Sequence, residues 1–148
     1  MKRYLLIIAL LLGAASSWGQ ISNDQAAVLQ KILELPDLQQ YYPKNGDGSL
    51  KQICIMQYTT AFSAEVTAAL DASKVVFRSR EAITANQTEA YFIFRSMTME
   101  AGSANASFTY FYNFDYTSNQ SKMLTVNIDL QKSGANWSVT NVNLGGGR

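Results

Sequence analysis

Ser121-Lys-Met-Leu-Thr-Val-Asn-Ile-Asp-Leu-Gln131 decides the fold. Leu124, Val126, Ile128 and Leu130 share one parity, and Thr125, Asn127 and Asp129 share the other. Successive side chains of a strand point to opposite faces, so this run is a strand with one face on a core and one in water. Three similar runs surround it, at 89–99, 106–116 and 136–144. The breaks hold turn residues, Gly102-Ser, Thr117-Ser-Asn and Ser133-Gly-Ala, and are too short for crossovers. Hairpins follow, hence an antiparallel meander of four main strands. In the last run Trp137 and Val139 share one parity, and Val142 and Leu144 the other. One extra residue near Thr140-Asn141, a β-bulge, reconciles them. Gly145-Gly-Gly-Arg148 is expected to be a loose tail.

Upstream, residues 21–35 read as a helix. Val28, Leu29, Ile32 and Leu35 recur at three- and four-residue steps, Ser22 and Asn23 suit an N-cap, and Pro36 ends it. Residues 37–42 add a further turn, and Pro43 to Ser49 is a loop dense in turn residues. Residues 51–58 and 75–77 are one or two short strands, 61–73 fits helix or strand, and Ser79 caps a turn at 80–82. The fold class is therefore α+β: an N-terminal helix packed on the apolar face of the meander.

The first 19 residues carry a different message. Lys2-Arg3, the apolar run from Tyr4 to Leu12 and the small residues Gly13 to Ser17 have the three parts of a secretory signal. Ser17-Trp-Gly19 places cleavage before Gln20, with cleavage after Ala15 or Ser16 as the alternative. The expectation is a signal peptide at 1–19 and one domain at 20–148, periplasmic or extracellular, with no stable membrane insertion after cleavage. The whole chain has 12 Lys+Arg against 11 Asp+Glu. Loss of Lys2 and Arg3 leaves ten against eleven, a charge of −1 with no basic cluster, which argues against a nucleic-acid partner.

Leu124 to Val139 pairs an alternating strand with a glycine turn and a tryptophan that opens the next strand. This hairpin resembles the last hairpin of cystatin-like and nuclear-transport-factor-2-like α+β folds. The Val75-Val-Phe-x-Ser79 segment ahead of the meander resembles small exported bacterial proteins of unknown function. The resemblance covers about the last 70 residues and carries no catalytic residue over. The cystatin inhibitory Gln-x-Val-x-Gly pattern is absent.

Chemistry is narrowed by exclusion. With no histidine, Ser-His-Asp and His-based metal sites are ruled out. Cys54, the only cysteine, forms no internal disulfide, and its apolar neighbours read as burial. Gly46-Asp-Gly48 is a turn, not a phosphate or calcium loop. Asn86, Asn105, Asn119 and Asn136 each open an Asn-x-Ser/Thr triplet, a pattern that Asn/Ser/Thr-rich chains make by chance. No catalytic residue, metal ligand or cofactor is expected.

The remaining signal is aromatic. Phe108, Tyr110, Tyr112, Phe114 and Tyr116 share one parity. They form either the core face or an exposed platform for a sugar or partner, with Tyr110 and Tyr116 nearest a pocket mouth. A concave sheet around the helix would line a pocket with Tyr91, Tyr110, Tyr112 and Trp137. The reading is a non-enzymatic binding or interaction domain for an unknown protein, glycan or small ligand, with candidate residues Tyr91, Tyr110, Tyr112, Tyr116 and Trp137. The alternatives are a small-ligand-pocket protein or enzyme of the nuclear-transport-factor-2-like type, using a tyrosine–carboxylate pair, and a structural envelope component.

Overall fold

The computed structural model describes residues 20–58 and 62–147. The expected signal segment and Arg148 lie outside the described residues. The protein is mixed α+β, with a helix near the N-terminus and a curled six-stranded sheet. Residues 20–33 are helical (α1), followed by α2 (Pro36–Gln39), β1 (Ile53–Met56), α3 (Ala64–Ala69), β2 (Val75–Arg78) and α4 (Arg80–Ala85). The long strands β3 (Tyr91–Glu100), β4 (Ser103–Asp115), β5 (Gln120–Ser133) and β6 (Asn136–Gly147) complete the chain. Among the described residues no helix is long and apolar enough to cross a membrane.

The strand order is β2-β1-β3-β4-β5-β6. The antiparallel meander accounts for part of it: β3 to β6 pair as successive hairpins, whereas β1 runs parallel to both β2 and β3. The parallel pairs are reached by crossovers that carry α3 and α4. The ambiguous 61–73 stretch is helical at Ala64–Ala69, where the Ser63 hydroxyl accepts from the Val66 N–H. Ser79 caps α4 in the same way, accepting from Ala82. Residues 22 and 23 are already helical, so neither caps α1 as expected. Pro36 does end the helical run, and it opens α2 at a first-turn position where its missing N–H is no loss.

Three bulges decide which side chains reach the core. Thr140 is the extra residue in β6, because Asp129 pairs with Asn141 and Leu130 with Val139. Arg95 is extra in β3, between the Phe94–Phe108 and Ser96–Ser107 pairs. The inner face therefore changes parity from Phe92 and Phe94 to Met97 and Met99. A third lies between Tyr112 and Asp115, where Asn113 has φ 52°, a left-handed value that asparagine tolerates.

The main core unites α1 (Val28, Leu29, Ile32), α2 (Leu38) and the inner faces of β1 and β3–β5 (Ile55, Phe92, Phe108, Tyr110, Val126, Ile128). A smaller cluster lies behind β1 and β3, where Cys54, Met56 and Ile83 pack with Val76, Tyr91 and Ile93. Residues 145–147 are not a loose tail: they extend β6 and pair with Thr125, Leu124 and Met123.

Candidate functional site

A cleft of about 640 Å³ lies between the C-terminal half of α1, the start of β1 and β2, and the end of α3. Its lining combines apolar residues, Leu33, Leu50, Ile53, Leu70 and Val75, with polar ones that include Gln30, Glu34, Gln39, Asp71 and Lys74. Ligand pockets typically span about 300–1,000 Å³ with mostly apolar lining and a few placed polar groups.

Local bonds hold the walls in place. The loop expected at Pro43–Ser49 closes through a Lys44–Leu50 bridge and the Lys51 N–H, which donates to the Pro43 carbonyl at 2.9 Å. That closure leaves Leu50 41% exposed at the cleft. On the opposite wall Asp71 accepts from both the Ser73 N–H (2.9 Å) and the Ser73 hydroxyl (2.6 Å). These two bonds hold the Asp71 carboxyl below its ordinary range. The Gln52 amide donates to the Ala72 carbonyl at 2.8 Å, tying β1 to the α3–β2 turn.

Both lysines of the cleft are ion-paired, whereas the Glu34 carboxylate is met by a neutral amide. Lys51 meets Glu89 at 2.6 Å, Lys74 lies 3.8 Å from Asp71, and Gln30 donates to Glu34 at 2.8 Å.

The five candidate residues fall into three places and are not brought together. Tyr110 is 2% exposed, in the core, and its hydroxyl donates to the Tyr41 carbonyl at 3.3 Å. Burial, then repulsion from Glu89 and Tyr112, pushes its pKa well up. Tyr112 stacks beside it, half-buried, with ring centroids 5.8 Å apart, and contacts Tyr41 at 5.1 Å. The Asn113 bulge turns Phe114 and Tyr116 to the opposite face, where Phe114 meets Tyr91 at 6.3 Å. Tyr91 also stacks on Phe111 at 5.2 Å, while the Tyr116 hydroxyl is held by the Ile83 and Thr88 carbonyls at 3.2 and 3.0 Å. Trp137 is 4% exposed, and its indole N–H donates to Asp24 at 3.2 Å.

A single five-ring platform is therefore not formed, and a pocket lined jointly by Tyr91, Tyr110, Tyr112 and Trp137 is not formed either. The parity argument assumed an unbroken strand, and the bulge breaks it. Cys54 is 3% exposed, and burial pushes its thiol up to about 11, so it stays protonated at neutral pH. Among the described residues no group of three or more Cys, Asp and Glu is placed to hold a metal ion.

Sequence reasoning missed the cleft residues. Leu50 carried one usable signal, an apolar side chain directly after a turn-dense loop. Leu70 and Val75 carried none, because they reach the cleft only through the parallel crossover. No protein-family model, curated protein or solved structure matches the chain.

Proposed function

We propose that this chain is an exported, non-enzymatic binding domain whose site is the cleft between α1, α3 and the start of the parallel strands. The observation that carries the reading is the cleft itself: about 640 Å³, lined by apolar and polar residues together, with both of its lysines already ion-paired. Its ligand is a neutral amphipathic molecule with an apolar chain and a hydroxyl- or amide-bearing head. Leu50, Leu33 and Leu70 contact the chain, and Gln39 with the cleft rim meets the head.

Octyl glucoside, decanoate and decylamine serve as probes with neutral, anionic and cationic heads. Titration calorimetry should rank octyl glucoside first. Leu50→Glu, at an exposed position, should weaken that binding at least tenfold with an unchanged circular dichroism spectrum. Equal binding by the variant sinks the assignment. Export by the 1–19 segment is tested separately, by the intact mass of protein recovered outside the cytoplasm. A mass corresponding to a start at Gln20 supports it, and an uncleaved chain in the cytoplasm refutes it.

A further inference from the structure

The two edges of the sheet differ. At one edge β2 has four residues and carries Arg78. At the other, β6 runs for twelve residues, and none of them is Lys, Arg, Asp, Glu or Pro. Those residue types are what proteins usually place on an edge to block pairing with another chain. The bulge at Thr140 protects only the first part of β6, and residues 141–147 pair with 129–123 in unbroken register. Among the described residues no strand lies beyond β6.

We propose that a second copy of this chain occupies that edge, with residues 141–147 of the two β6 strands running antiparallel about a two-fold axis at Leu144. Such an axis sets Asn141, Val142 and Asn143 opposite Gly147, Gly146 and Gly145 of the other copy. Each larger side chain thus faces a residue with none, and a Cβ built at Gly146 meets nothing within 4 Å. Leu144 faces its own counterpart. It lies on the core side, opposite Val126, and is 37% exposed in the single chain, so pairing extends the core across the junction.

The charges agree with this arrangement. The acidic residue beside the segment, Asp129, pairs in register with Asn141 and accepts from its amide at 3.1 Å. The two-fold axis separates the two Asp129 positions by six residues along the strand, about 20 Å at roughly 3.4 Å per residue. Self-pairing therefore opposes no like charges. With about seven residues per copy the association is of the weak, concentration-dependent kind.

Sedimentation equilibrium of the purified protein should show a shift from one-chain to two-chain mass as concentration rises, as expected of a small, weak interface. Leu144→Lys and Leu144→Glu should each remain at one-chain mass, with the circular dichroism spectrum retained. Their equimolar mixture should regain the two-chain mass, which a merely misfolded variant could not do. One-chain mass throughout for the parent protein overturns the proposal. So does a dimer that survives both substitutions, a mixture that stays monomeric, or association beyond two chains.

Discussion

The two ends of the sheet solve the burial problem differently. At the β2–β1 end both faces are covered: Ile53 and Ile55 point to the α1 side, while Cys54 and Met56 pack under Ile83 of α4. At the β4–β6 end only the inner face is covered, and the outer face carries Asn105, Asn127, Asp129 and Asn141. Parallel strands joined by helices tend to be buried on both sides, and antiparallel hairpins tolerate one wet side. The functional consequence is positional. Helices converge only where the crossovers are, so the cleft opens at the parallel end. The hairpin end has a polar wall and an uncovered edge instead.

The largest effect should come from the shared inner core. Phe92 is fully buried and meets Tyr42, Phe94, Phe108 and Tyr110 at 4.4–6.2 Å. Phe92→Ala should cost about 3–5 kcal/mol in urea unfolding. Ile83→Ala tests the smaller cluster behind the parallel strands and should cost about 2 kcal/mol, since fewer neighbours surround the cavity. A loss as large as that of Phe92 would mean that the outer cluster is as much a core as the inner one.

Asp24 is the next step down. Lys132 Nζ donates to both its oxygens at 2.8 Å, and Trp137 donates at 3.2 Å, fastening α1 to the β5–β6 hairpin. Burial raises its pKa, but the bonds from Lys132 and Trp137 outweigh that and leave it below the ordinary 3.8. Because the folded value lies below the unfolded one, the stabilisation is present above pH 3.8 and is lost as pH falls through the folded value. Asp24→Asn should cost about 1–2 kcal/mol at pH 7, discounted for the partial exposure of the pair, with the difference from the parent shrinking in acid.

The smallest effect belongs to the polar wall. Asn127→Ala, on an exposed outer position, should change stability by less than about 0.5 kcal/mol. Cys54 should resist thiol reagents at pH 8 in the folded protein and react on unfolding. Its folded value near 11 exceeds the ordinary 9.0, so its contribution to stability is present below pH 9 and declines above it.

The same contrast explains what could be read in advance. The Leu124–Leu130 alternation and the parity change at Thr140 are visible in sequence because one face is wet, and the structure has both. Free Cys54 was legible as buried from its apolar neighbours. The parallel pairing of β1 was not legible. A strand buried on both faces has no alternation to show, and Ile53-Cys-Ile-Met56 says nothing about its neighbours. The bulge at Asn113 was hidden because the aromatic–polar alternation of Tyr112-Asn-Phe-Asp-Tyr116 runs through it without a break. Placing Phe114 and Tyr116 on the same face as Tyr110 and Tyr112 followed from that.

The central question is whether the parallel end of the sheet is the binding end. Amide chemical-shift mapping of the protein with octyl glucoside below its micelle concentration tests this directly. Saturable shifts at Leu33, Leu50, Ile53, Leu70 and Val75, with little change at Asn105, Asn127 and Asn141, are predicted. Shifts centred on Tyr91, Phe111 and the outer face, or none at the cleft, would contradict it.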